Sequence, residues 1–327
     1  MEADLVNRAG LPFRAIHGAG VHGVGWRLPL NALGLLRGLA EALGLMRAYQ
    51  PDAVFVTGGF ITAPVAVAAW LSRVPVLVYL PDIEPGLAVK LIARLARRIA
   101  VTVADSREFF RGRAADVIVT GYPTRPELGT VSRAEAQAAL GLEAGRPVLL
   151  VTGGSRGARS INRAVFQALP DWLKDYQVVH LSGQLDWQEV EQARAALPTE
   201  QLARYHAYPF LHEMGQALAA ADLVVSRAGA SALGEYPLFG LPAVLVPYPY
   251  AWRYQKVNAD YLAQRGAAVR LNDEGLPAKL AGEVRALLDD PARLAGMRAA
   301  ARAAAQPGAA GRIAAELGQL AGSAARP

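Results

Sequence analysis

The chain contains no cysteine. That excludes disulfide frameworks, thiolate zinc sites, iron–sulfur clusters and a cysteine nucleophile together, and makes cytoplasmic exposure the simplest compartment. Lysine is scarce: Lys90, Lys174, Lys256 and Lys279 are the only ones, and arginine supplies the rest of the 34 basic residues. Against 28 acidic residues the formal charge is +6, a balance that argues only weakly for nucleic acid or anionic lipid as a partner. His17, His22, His180, His206 and His212 lack metal-ligand spacing, so no metal is expected. Charged residues make up only 19% and hydrophobic ones 53%, which excludes a disordered chain. A leader is not expected either, because MEADLVNRAG carries acids at positions 2 and 4 and no apolar run. Residues 53–72 are uncharged and long enough to span a bilayer. Gly58-Gly59 and Pro64 divide that stretch into a β-branched run, a turn and a short Ala-rich helix, which argues against a membrane span.

What the chain does have is alternation. At 327 residues it is about twice the usual domain size. Apolar strand candidates (LPFRAI, DAVFVTG, VPVLVYL, IAVTVAD and DVIVTG, then PVLLVTG, YQVVHLSG, RYHAYPF, DLVVSR, PAVLVPY and AAVRL) are separated by helical patterns. Continuous apolar strands joined by helices imply parallel sheets covered on both faces. The expected fold is therefore α/β, with two doubly wound Rossmann-like domains. The expected division is residues 1–125, a linker at 126–145 rich in Pro and Gly, a second domain at 146–300, and a helical Ala/Arg-rich tail at 301–327 that would pack back on the first domain.

In open α/β sheets ligands lie beyond the carboxyl ends of strands, so the turns there carry the argument. In VLLVTGGSRGARSINRAV, Gly153, Gly154, Ser155 and Gly157 join a strand to a helix. Glycines let a phosphate approach the backbone, and the helix start offers free N–H groups. The spacing is neither a Walker loop nor GxGxxG, and a plain tight turn explains it equally well. In DLVVSRAGASALGEYP, Gly229 is expected to open a helix carrying Ala230, Ser231, Ala232, Leu233, Gly234 and Glu235, small residues that leave room for a flat ligand. Glu235 could accept two hydrogen bonds from a ribose diol, or simply favour the helix dipole. In PYPYAWRYQKVNADYL, Arg253, Tyr254, Gln255 and Asn258 sit at a strand end and helix start, where amides could read sugar hydroxyls or only cap the helix. Arg125, in GYPTR, would face a cleft between the halves.

The order GGSRGA, RAGASALGE, GLPAVLVPYPYAWRYQKVNA, supported by PDAVFVTGGF, GYPTR and FLHEM, resembles the MurG family. These enzymes transfer N-acetylglucosamine from UDP-N-acetylglucosamine to a polyprenyl-diphosphate-linked muramyl peptide, completing lipid II in peptidoglycan synthesis. The resemblance implies a glycosyltransferase fold of the B type and an inverting reaction without cofactor, by a peripheral protein on the cytoplasmic face of the cell membrane. Carried over by position, Gly154 and Ser155 would meet the diphosphate, the backbone at Leu211 the uracil, residues 230–235 the nucleoside and Glu235 its ribose. Gln255 would meet the sugar, and Arg125 would lie near the donor.

The departures concern the acceptor side. The family's glycine-rich first loop, ending in a histidine, has no counterpart, so the first domain reads as N-terminally truncated. The family's His-Glu-Gln-Asn segment is Tyr79-Leu80-Pro81-Asp82, leaving Asp82 as the only carboxylate at a matching loop. A related enzyme with another lipid acceptor such as diacylglycerol, or a non-catalytic nucleotide-sugar-binding paralogue, stays open on those grounds. For membrane contact, GLAVKLIARLARRIA would place Leu87, Leu91, Leu95 and Ile99 on one helical face and Lys90, Arg94, Arg97 and Arg98 on another. Such a helix suits an anionic membrane surface; an ordinary sheet-covering helix has the same pattern.

Overall fold

The computed structural model describes residues 3, 6–7, 9–18, 28–59, 61–113, 116–154, 156–250 and 253–323. It forms two compact units. The first comprises residues 1–80, 85–119 and 311–327, the second residues 81–84 and 120–310.

In the first unit, α1 (Leu28–Tyr49) leads into β1 (Val54–Val56), α2 (Thr62–Leu71), β2 (Val76–Leu80), α3 (Leu87–Ile92), β3 (Arg98–Val101) and β4 (Val117–Val119). The strands form a parallel sheet in the order β1-β2-β3-β4. β2 reads VLVYL and is buried at all five positions, as a strand covered on both faces must be. The uncharged stretch at 53–72 is a strand, a turn and a helix: Gly58 and Gly59 take φ of +92° and +88°, and Pro64 falls in the first turn of α2, where a missing N–H costs nothing. Among the described residues no helix is long and apolar enough to cross a membrane.

Two expectations for this unit are corrected. Residues 11–18 form no strand; among the described residues β1 pairs only with β2. The helix expected over GLAVKLIARLARRIA also stops at Ile92. The Arg113 guanidinium donates to the carbonyls of Ala93 and of Ala96 (2.7 Å to the latter), ending the helix there. Arg98 and Ile99 then enter the sheet as β3, between β2 and β4. Ile99 is therefore core, and Arg98 pairs with Glu316 and donates to Gln319 (2.8 Å) on α13 (Ala309–Ser323). Ile313 and Leu320 of α13 pack on Leu77, Tyr79 and Ala100.

The second unit contains α4 (Arg133–Ala139), β5 (Val148–Thr152), α5 (Arg159–Asp175), β6 (Gln177–Leu181), α6 (Trp187–Ala195), α7 (Thr199–Leu202), β7 (Tyr205–Tyr208), α8 (Met214–Ala220), β8 (Leu223–Ser226), α9 (Glu235–Phe239), β9 (Ala243–Leu245), α10 (Tyr254–Gln264), β10 (Ala268–Arg270), α11 (Leu276–Leu288) and α12 (Pro291–Ala304). Residues 126–145 hold α4, whose capping box has the Glu135 N–H donating to Ser132 Oγ and the Ser132 N–H donating to Glu135. The sheet runs β10-β9-β8-β5-β6-β7, all parallel, with Leu149 to Thr152 opposite Leu223 to Ser226. The winding therefore reverses between β5 and β8, which places a ligand crevice beyond the carboxyl ends of those two strands. Trp172 and Leu173 of α5 and Tyr176 just after it, with Leu280, Val284 and Leu287 of α11, fill one side of this sheet.

His180 lies fully buried on β6, and that burial lowers its pKa to about 3, so the ring is neutral. From about pH 6.5 down to that value the unfolded chain binds a proton that the native state refuses. Stability should accordingly fall as the pH drops through this window, by up to about 1.4 kcal/mol per pH unit. Urea melts stepped across the window should show a shallower loss for His180→Gln than for the parent; parallel slopes would mean that other groups carry the acid sensitivity.

Candidate functional site

The two glycine-bearing turns singled out by sequence follow β5 and β8, the two strands at the reversal. After β5, Gly154 and Gly157 take φ of +79° and +78°, a region costly for any residue with a Cβ. A Cβ at Gly153 would stand 2.2 Å from the Ala158 nitrogen, so the turn admits glycine alone there. The Gly154 N–H donates to Thr152 Oγ1 (3.2 Å), and the Gly157 N–H donates to the Gly154 carbonyl (3.0 Å). Ala158 occupies the N-cap of α5 and supplies no side-chain cap, which leaves first-turn N–H groups for another acceptor. Ser155 lies outside the described residues.

After β8, Gly229 opens a single 3-10 turn, Ala230–Leu233, rather than a continuous helix. Glu235 begins α9 as a separate five-residue helix. Gly234 lies at the junction, where a Cβ would stand 2.6 Å from Tyr122. Burial raises the pKa of Glu235, and the nearby Arg125 charge lowers it in part. Tyr122 is likewise pushed up, first by burial and then by the negative charges of Glu235 and Asp82. Arg125, Tyr122, Gly234 and Glu235 thus form one group. Leu211 follows β7, the outermost strand and three places from β8 in the sheet, and is half-buried beside the Phe210 and His212 rings, whose centroids are 4.9 Å apart.

On α10 the expected amides have separate fates. Gln255 accepts the Tyr248 N–H through Oε1 (2.8 Å), which leaves its amide nitrogen as a donor. Asn258 is fully buried, and the expectation that it reads sugar hydroxyls is corrected. Its Nδ2 donates to Asp82 Oδ1 (2.8 Å) and to the Ala228 carbonyl (3.1 Å), and its Oδ1 accepts the Ile83 N–H (3.2 Å). Arg253 lies 2.6 Å from Glu84. Pro81–Glu84 is thus bound to the start of α10, and Asp82, largely desolvated, has its pKa raised despite the Asn258 hydrogen bond. Among the described residues no cluster of His, Asp and Glu could hold a metal ion.

One further group escaped the sequence reading. Arg227 donates to Asp273 (2.5 Å) and to Ser160 Oγ (2.8 Å), and Ser160 itself donates to Asp273 (2.7 Å). The Arg227 side chain is 12% exposed. These bonds tie the end of β8 to the first turn of α5. The available signal was an arginine immediately before a small-residue turn, read only as part of a motif.

Comparison with known proteins gives the family. Residues 1–101 match the model of the glycosyltransferase family 28 N-terminal domain and residues 148–313 that of its C-terminal domain. A UDP-N-acetylglucosamine–N-acetylmuramyl-(pentapeptide) pyrophosphoryl-undecaprenol N-acetylglucosamine transferase of Roseiflexus sp. is 42% identical, over 96% of this chain and 80% of that one. The enzyme of that name from Desulforudis audaxviator is 38% identical, over 100% and 89%. The crystal structure of Acinetobacter baumannii MurG superimposes with a TM-score of 0.75 at 25% identity, covering 98% of this chain and 88% of that one. A glycotransferase of kitacinnamycin, 20% identical with a TM-score of 0.64 over 96% and 89%, shares the fold. By both family models and by these relatives along nearly its whole length, the chain belongs to glycosyltransferase family 28 and, within it, to the MurG family.

Proposed function

We propose that the chain transfers N-acetylglucosamine from UDP-N-acetylglucosamine to a polyprenyl-diphosphate-linked muramyl peptide, forming lipid II with inversion at the sugar. The observation that carries this reading is the pairing, at the winding reversal, of the Gly153–Gly157 turn with the turn bearing Glu235. The first suits a diphosphate and the second a nucleoside. In this reading Gly154, Ser155 and the open start of α5 receive the diphosphate, residues 230–235 the nucleoside, Leu211 the uracil, and the Gln255 amide nitrogen the sugar. Arg125 adds positive charge beside them.

The transfer needs a leaving-group stabiliser and a base. The acceptor hydroxyl oxygen bonds to the sugar's anomeric carbon as the bond to the diphosphate oxygen breaks, and the electron pair leaves with UDP. N–H groups at the start of α5 and the Arg125 guanidinium stabilise that charge. The acceptor proton goes to Asp82. Asn258 holds the Asp82 carboxylate one helical turn beyond Gln255, the residue assigned to the sugar, and its raised pKa makes it a stronger base than an exposed aspartate.

The acceptor's lipid requires a membrane surface, and the first unit offers one. On α3, Leu87 and Leu91 are 47% and 48% exposed, with Lys90 and, in the turn after the helix, Arg94 also exposed. On the neighbouring α2, Trp70 and Leu71 are exposed as well. Exposed apolar groups beside basic ones support docking on an anionic bilayer at the cytoplasmic face.

Three outcomes are expected. Glu235→Ala should weaken UDP in calorimetry by about 1–3 kcal/mol, the scale for hydrogen bonds to a charged group; unchanged affinity would remove Glu235 from the site. Asp82→Asn keeps an acceptor for Asn258 and should lower kcat about a hundredfold with little change in donor KM. In the parent, kcat should fall as Asp82 gains its proton, along an acid limb above the usual carboxylate range, and the variant should lack that limb. Persistence of the limb would place the base elsewhere. Lastly, changing Lys90, Arg94 and Arg97 together to Gln should abolish the preference for phosphatidylglycerol over phosphatidylcholine vesicles in sedimentation, and salt should weaken the parent's preference.

A further inference from the structure

Beneath the Gly153–Gly157 turn runs a chain of buried polar side chains that touches no substrate position. The Tyr205 hydroxyl lies 2.8 Å from His180 Nδ1, and His180 Nε2 lies 3.0 Å from Asn162 Oδ1. Asn162 Nδ2 donates to the Ser182 carbonyl (3.0 Å) and to Asp186 Oδ2 (2.8 Å). Asp186 Oδ1 accepts from Arg159 Nε (2.8 Å), on the first residue of α5. His180 and Asn162 are fully buried, and Asp186 is 4% exposed.

The bonding admits one arrangement. Both amide hydrogens of Asn162 go to acceptors, so its Oδ1 must accept, and His180 therefore carries its proton on Nε2. Nδ1 is then an acceptor, and the Tyr205 hydroxyl donates to it. The run is polarised in one direction, from edge strand β7 through β6 to α5. It ends where backbone meets backbone: a Cβ on Gly157 would stand 2.1 Å from the Ser182 carbonyl oxygen, and one on Gly183 would stand 2.6 Å from the Gly157 nitrogen. Whatever fixes the Ser182 carbonyl thus fixes Gly157.

We propose that His180 and Asn162 are positioning residues for the donor diphosphate, holding the Ser182-Gly183 turn and the start of α5 so that the N–H groups around Gly157 converge on the phosphates. This rests on reading that turn as the diphosphate site. A core needing stability alone is served equally well by apolar side chains of the same shape; a fully bonded polar run fixes an orientation.

The test compares UDP with uridine, which lacks the phosphates, on the full chain by calorimetry and ligand-observed NMR. Asn162→Ala and His180→Phe should each weaken UDP about tenfold, the equivalent of one charge-assisted hydrogen bond, while uridine binding stays within about twofold of the parent. Donor KM should rise with the UDP constant. Tyr205→Phe, which removes one hydroxyl, should fold like the parent and shift the ratio in the same direction by less; it carries the test if the larger changes fail to fold. A UDP-to-uridine ratio equal to the parent's in every folded variant overturns the positioning role. A parent that binds UDP no more tightly than uridine overturns the reading of the turn itself, and the positioning role with it.

Discussion

On the proposed function, the second unit is organised around an uncapped helix start. A Ser, Thr, Asp or Asn side chain can take the first N–H groups of a helix, as Ser132 does for α4 and Asp290 for α12; α5 has Ala158 at that position, and its first N–H donors are left. Those donors must remain available yet fixed in direction, and the surrounding residues meet both requirements. Arg227, Ser160 and Asp273 hold the first turn from the β8 side. Asp186 and Asn162 hold it from the β6 side through Arg159 and the Ser182 carbonyl. The glycines at 153 and 157 let the backbone fold tightly enough for these supports to reach it. Loss of a cap costs a helix on the order of 1 kcal/mol, small beside the core that α5 builds with Trp172 and Leu173 against α11.

Much of this was legible in the sequence because it depends on local chemistry. The apolar runs VLLVT and LVVS are buried throughout, as parallel strands require, and glycine spacing marked the turns that follow them. Other features depend on what lies opposite in space. GLAVKLIARLARRIA has a helical period, but Arg98 and Ile99 belong to a sheet because β2 and β4 flank them. Asn258 resembled a surface cap, and its partners, Asp82 and Ile83, are distant in sequence. His180 carried no visible signal at all: a lone histidine in an apolar strand is ordinary until Tyr205 and Asn162 are found on either side of it.

Asp82 illustrates how one substitution acquires meaning from its support. In the MurG pattern that position carries an amide, and here it carries a carboxylate. An amide can share hydrogen bonds without changing charge, whereas a desolvated carboxylate held by Asn258 has a protonation state that depends on its surroundings. In the mechanism proposed above, the same contact serves for anchoring and for proton transfer.

Segments distant in sequence are exchanged between the two units. Pro81–Glu84 groups with the second, and the chain from Gly311 onward groups with the first. Recombination between relatives at a single crossover near residue 120 would therefore mismatch four residues at one end and a helix at the other. Asn258 would face a foreign loop, and Arg98 would face a foreign α13. Shuffled descendants of such genes inherit a matched second unit only when its two separate stretches, 81–84 and 120–310, travel together, so the heritable module is discontinuous even though the polypeptide is not.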